Sequence, residues 1–261
     1  MIAGQILMQA PKSDLSATRI EDAACSVLPA ANFKGEARLI VADGSSGSAG
    51  SGWWASQLAR DLCAAPGRAF RDSQAFMHVT MDAGLRWPDQ RRTLLDMTAS
   101  SGPMAWLAQH RISNSPAATL LGLQLLPEPA EHEPPDCLGG SGWRVVCVGD
   151  SCMFQVRAGC VVASVAVMTR VPEVIRAGGA QSSTNPRFVE GHWCSEDVFY
   201  LMTDALAVWW MRHADGGGRP WEVLDAVCAT QVDFVTWVRD QRVRRALKDD
   251  DITLLRAECG T

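Results

Sequence analysis

The sequence predicts an α+β fold in four layers, with two antiparallel β-sheets face to face and helices over their outer surfaces. Three observations point there. Strand-like runs open the chain, return after a helical stretch and return again at the end, without the regular alternation that builds a doubly wound parallel sheet. Of the 261 residues, 47% are hydrophobic and 20% charged, enough apolar side chain for a large core. Neither an internal repeat nor a long low-complexity tract divides the chain, so residues 1–261 read as a single domain.

The elements follow in order. GQILMQA (4–10), AACSVLP (23–29) and ARLIVA (37–42) read as strands. Asp43-Gly44 and a Gly/Ser stretch close the third run. A helix follows from about Ser51, its expected cap, with Trp54, Leu58 and Leu62 at four-residue spacing. Residues 69 to 111 read as helix, break, helix, with Pro88 as the interruption. ATLLGLQLL (118–126) and GWRVVCVGD (142–150) are strands separated by an exposed loop rich in proline and acidic residues. MFQVRAG and VVASVAVM extend the series. The polar residues 169 to 192 suggest a surface excursion near a functional face. DVFYLMTDA is a strand running into a helix, ALAVWWMRHA, stopped by Gly216-Gly217-Gly218. Pro220 suits the start of another helix, with Trp221, Leu224, Cys228, Val232, Val235 and Val238 as its apolar stripe. The basic run Arg239–Lys248 reads as a solvated last turn, and ITLLRA (252–257) as a final strand.

Composition excludes several classes. A formal charge of −5 leaves no electrostatic footprint for nucleic acid, and no apolar run approaches the roughly 18 residues of a membrane span. The opening MIAGQILMQAPKSD lacks the basic region and long apolar core of a secretory signal. The nine cysteines include no CxxC pair, and several sit in apolar runs. Buried thiols in a reducing cytoplasm are therefore expected, with Cys152, Cys160 and Cys194 as oxidation candidates. The five histidines do not cluster at ligand spacing. Trp53-Trp54 and Trp209-Trp210 are adjacent on expected helices; core packing is the default reading, with one of each pair at a layer boundary or a partner surface as the alternative.

The chemistry lies in aspartates at strand ends. Asp43 follows RLIVA, Asp150 follows RVVCVG, Asp204 follows VFYLMT, and Asp250 precedes ITLLRA. Singly, each is an ordinary turn or helix-cap residue. Together, several carboxylates projecting from rigid strand ends would repel one another without cations between them. An all-oxygen donor set favours magnesium or manganese.

The segments RIEDA (19–23), LIVADGSSG (39–47), VVCVGDSCMFQVRAG (145–159), YLMTDALAVW (200–209) and DDDITLL (249–255) resemble, in order, the motifs of the metal-dependent type-2C (PPM) protein serine/threonine phosphatases. The likeness spans nearly the whole chain and marks a divergent, bacterial-type member. It implies hydrolysis of phosphoserine or phosphothreonine in proteins by water activated between two manganese or magnesium ions. Asp43 would bridge both ions, with the Gly44 carbonyl on the second, and Asp204 and Asp250 would complete the first. Glu21 and Asp22 would hold metal-bound waters, and Asp150 with Asp204 a more weakly held third ion. The family's phosphate-holding arginine falls at Ala17, leaving Lys12 on the first strand or Arg19 as the phosphate ligand. Ala205 and Cys152 are further departures, and no histidine follows Asp43-Gly44. A phosphoprotein substrate, a cognate kinase and a cytoplasmic location go with this resemblance, and no nucleic acid or membrane partner. The rival readings are an inactive phosphatase fold serving as a regulatory or binding module, and a phosphohydrolase of small molecules.

Overall fold

The computed structural model describes residues 2–13, 20–29, 35–98, 105–127, 141–166, 169, 171–178 and 184–260. Alternation along single strands explains its layering. In β3 (Ala37–Ala42), Leu39 and Val41 face one core while Ile40 and Ala42 face another. In β12 (Ile252–Cys259), Leu255 and Ala257 join the first of these cores, and Ile252 and Leu254 a third. Sheets with two apolar faces must be covered on both sides, and the four-layer architecture does this.

The remaining strands are β1 (Ile2–Ala10), β2 (Ala23–Val27), β4 (Ala117–Ala118), β5 (Leu120–Leu125), β6 (Ser141–Val148), β7 (Cys152–Arg157), β8 (Cys160–Val165), β9 (Ile175–Arg176), β10 (Arg187–Trp193) and β11 (Val198–Met202). One five-stranded sheet runs β1-β12-β11-β7-β8, the other β10-β6-β5-β3-β2, and all their pairings are antiparallel. The short β4 pairs with β9. The central core interleaves Leu121, Leu123 and Val145 of one sheet with Met153, Phe199 and Leu201 of the other.

On the second sheet lies α1 (Ser51–Ala64), whose Trp54, Leu58 and Leu62 are buried at the expected spacing. The Trp54 indole also donates to the Ile175 carbonyl at 2.8 Å, tying the segment around β9 to this layer. On the first sheet lie α5 (Asp204–Asp215), α6 (Pro220–Val227) and α7 (Gln231–Val243), packed through Trp210, Leu224, Phe234 and Val238.

Several expectations are corrected. Ser51 does not cap α1: Gly50 holds that position, and the Ser51 hydroxyl donates to the Ser45 carbonyl. Pro88 does not break a helix. It sits in the first turn of α3 (Trp87–Thr98), where a missing N–H costs nothing. The break falls earlier, after α2 (Ser73–Gly84), and α4 (Ala105–Ser113) follows, so the described residues of this region include three α-helices. Residues 187–193 are no excursion but the edge strand β10, disguised by its polar solvent face. The stripe from Trp221 to Val238 belongs to two helices. Thr230 caps the second through Asp233, leaving Val232 73% exposed. Trp209 and Trp210 are both buried, because α5 meets two neighbours: Trp210 stacks on Phe154 at 4.7 Å, and Trp209 meets Trp237 of α7 edge-on at 4.9 Å. Cys152 is buried, whereas Cys160 and Cys194 are exposed. The loop 128–140, Ala17 and Arg19 lie outside the described residues. No helix among the described residues is long and apolar enough to cross a membrane.

Candidate active site

Strand register gathers the predicted aspartates at one end of the sandwich. Ala23 pairs with Ala42, which puts Asp22 beside Asp43. Leu120 pairs with Val148 and Met202 with both Cys152 and Leu254, so the Asp150 turn, Asp204 at the start of α5 and Asp250 before β12 share that end. Short polar contacts fix them. The Thr203 hydroxyl donates to Asp22 Oδ2 at 3.0 Å and accepts from the Thr253 amide at 3.0 Å, linking the two sheets. The Thr119 and Ser151 hydroxyls, 3.1 Å apart, brace the turn that carries Asp150.

Gly44 is a glycine because the chain closes around it. A Cβ there would stand 2.5 Å from the Glu21 carbonyl oxygen and 2.9 Å from the Ser51 backbone. It bridges to Ala118 through bonds donated by Ser45 N and Thr119 N, so its own carbonyl turns away from that strand. At the neighbouring turn Gly149 has φ +99°, a left-handed value that suits glycine, and Thr119 occupies the space a side chain would need.

The electrostatics of the cluster are those of crowded, partly buried carboxylates that the protein serves incompletely. Burial, then repulsion from Asp22, Asp204, Asp250 and Asp150, pushes the Asp43 carboxyl well above its ordinary range. Burial raises Asp22 to about 7 against its threonine hydrogen bonds, and burial with the Asp204 charge raises Asp150 to about 6. Asp22 Oδ1 and Asp204 Oδ1 are buried without a hydrogen-bond partner. Among the described residues, no three metal-ligating side chains close on one point as they stand. The donor set of carboxylate oxygens with unused lone pairs fits a hard divalent cation, which would relieve both the repulsion and the orphaned acceptors.

Glu21 turns to Lys12, with Lys12 Nζ 2.8 Å from Glu21 Oε2 and 3.3 Å from Ser46 Oγ. Lys12 lies two residues beyond the end of β1 rather than on it, at the rim between Glu21 and the Ser45–Gly47 loop. A cavity of about 300 Å³ opens beside this loop, walled by Ser45, Ser48, Asn114 and Arg176.

Three residues were missed. Asp251 is buried and accepts from the amides of Lys12 at 2.8 Å and Glu21 at 2.6 Å, so it anchors the segment carrying both. Arg242 and Lys248 belong to the run read as a solvated turn, and both face the aspartates instead. Arg242 donates to the Pro11 carbonyl at 2.7 Å and to that of Asp250. Lys248 Nζ sits 2.6 Å from Asp250 Oδ2 and 3.5 Å from Asp204 Oδ2. The available signal was the position of these cations just ahead of an acidic triplet.

The same architecture occurs in solved structures. The Mycobacterium tuberculosis serine/threonine phosphatase PstP/Ppp aligns over 100% of both chains with a TM-score of 0.57 and 13% identity. The fold is that of the type-2C phosphatases. The S. agalactiae serine/threonine phosphatase covers 98% of this chain and 99% of its own at a TM-score of 0.54 and 12% identity. RsbX, solved in complex with magnesium, covers 98% and 94% at 0.52 and 13%. No family profile matches the sequence, and a comparison with curated proteins gives no match. The likeness is thus one of fold, at 12–13% identity.

Proposed function

We propose that this chain is a manganese- or magnesium-dependent protein serine/threonine phosphatase. The observation that carries the reading is the gathering of Asp22, Asp43, Asp150, Asp204 and Asp250 at one end of this fold, with buried acceptors that nothing in the protein satisfies. Asp43, Asp204 and Asp250 would hold two ions, with the Gly44 carbonyl on the second. Asp22 and Glu21 would orient water, and Asp150 with Asp204 would hold a weaker third ion. When bound, such ions make water acidic enough to act near neutral pH and offset phosphoryl charge. The chain's own part is geometric. Thr203 fixes Asp22, Asp251 fixes the Lys12–Glu21 segment, and Lys12 at the rim supplies a cation for the substrate's phosphate. Water is the nucleophile, so no cysteine takes part. A phosphoprotein substrate, a kinase that makes it and a cytoplasmic setting belong to this reading.

A second reading is supported by the cations themselves: Lys12 is engaged by Glu21, and Lys248 bridges two of the expected metal ligands. A fold whose site is held shut in this way would be a regulatory or binding module. Hydrolysis of p-nitrophenyl phosphate with manganese, and its loss on chelation but not on iodoacetamide treatment, supports the enzyme. No hydrolysis at any manganese concentration supports the module. Comparison of phosphopeptides with phosphorylated metabolites then assigns the substrate class.

A further inference from the structure

We propose that Lys248 is a built-in counter-cation that must leave the Asp204–Asp250 side of the site before a divalent ion can bind there, and so sets the metal affinity of this chain. The inference rests on the functional reading above. The two carboxylates it bridges come from different elements, the start of α5 and the segment before β12, and its ammonium is within 3.5 Å of both. An ordinary surface ion pair joins one acid to one base; this one bridges two of the carboxylates proposed to hold an ion.

The construction suits displacement. The backbone at Lys248 is held: the amides of Ala246 and Leu247 donate to the Gln241 carbonyl, Leu247 is buried, and the Asp250 amide returns to the Lys248 carbonyl at 3.1 Å. The side chain is 64% exposed, so the ammonium has a path into water when a stronger cation arrives. Arg242 is different. It lies within hydrogen-bond reach of two backbone carbonyls and braces the loop from behind, so divalent binding would not expel it. Lys248 also leaves the site incompletely served, since Asp204 Oδ1 still has no partner. A monovalent head satisfies part of the cluster and holds it together, and a divalent ion satisfies more of it. Apparent metal affinity is therefore the intrinsic affinity reduced by the fraction of molecules in which lysine fills the gap.

Calorimetric titration of manganese chloride into the metal-free protein tests this, with wild type, Lys248→Gln and Lys248→Met compared at one pH and ionic strength. Both variants remove the charge, and Met keeps the apolar stem. We expect both to bind manganese about tenfold more tightly than wild type. Their metal-free forms should melt at lower temperature and gain more from saturating manganese. Unchanged or weaker binding in the two variants, with wild type binding normally, overturns the inference and leaves the phosphatase reading standing. Binding by the variants alone supports it. Absence of binding in all three proteins overturns both.

Discussion

Strand β11 carries an aspartate near each end, and the two are treated in opposite ways. Asp197, just before it, is fully enclosed. It accepts from Arg157 Nε and Nη2 at 2.7 Å each, from Gln155 Nε2 at 2.7 Å and from the Cys194 amide at 2.8 Å. Burial alone would raise its pKa, but those donors outweigh burial and hold it below the ordinary range. Asp204, just after the strand, keeps a buried oxygen with no partner, and its neighbours Asp22, Asp43 and Asp150 are all raised. Where the protein supplies donors, a buried carboxylate is structural. Where it serves carboxylates incompletely, as at Asp22 and Asp204, the proposed divalent ions would meet the remaining demand.

The comparison breaks most sharply at Asp43. Asp43→Asn should leave the fold intact and reduce manganese-dependent hydrolysis about a thousandfold, since several kcal/mol of charge stabilisation go with the ions. Retained activity would show that the cluster is not the site. At the other end of β11, Asp197→Ala should destabilise the protein by about 3 kcal/mol, leaving donors orphaned and Arg157 unpaired. Urea denaturation measures this, and the catalytic rate of the folded fraction should not change.

Acidity separates the two ends further. Asp22 and Asp150 have folded pKa values of about 7 and about 6, above the range of about 4 of an unfolded carboxylate. The metal-free native state therefore holds protons that the unfolded chain has already released. That contribution to stability is complete below about pH 4 and is lost as pH rises through 6 to 7. The metal-free protein should melt at lower temperature at pH 8 than at pH 5, and Asp22→Asn should flatten the difference. The lowered pKa of Asp197 acts in the opposite sense, at pH values below this window. The smallest expected effect is at the rim. Lys12→Ala should raise KM for a phosphopeptide about tenfold, near 1.4 kcal/mol, with little change in kcat. An unchanged KM would remove Lys12 from phosphate binding.

What the sequence revealed divides along the same line. The strands around Asp43, Asp150, Asp204 and Asp250 were readable because each is a short, nearly continuous apolar run with an aspartate at one boundary, the pattern of a strand buried on both faces. The edge strand β10 was not, because one of its faces meets solvent and its charged residues mask the alternation. The split between α6 and α7 escaped because the apolar stripe continues in phase across the Thr230 cap. In the site, the aspartates were visible as a spaced pattern, whereas the inward turn of Lys248 depends on the loop after α7, where Arg245 adopts φ +58°, and Arg242 reaches the same segment from the last turn of α7. No periodicity marks such a turn. Asp251 was hidden for a different reason: within Asp249-Asp250-Asp251, nothing but register decides which carboxylate faces the cluster and which ties down Lys12 and Glu21.

A crystal of this protein soaked in manganese chloride, with manganese located by anomalous scattering, tests most directly whether the clustered aspartates hold metal. The expected result is manganese bound by Asp43, Asp204 and Asp250, Lys248 swung out to solvent, and Asp197 unchanged in the fork of Arg157. A soaked crystal with no manganese peak among those aspartates, and Lys248 still bridging Asp204 and Asp250, would contradict it.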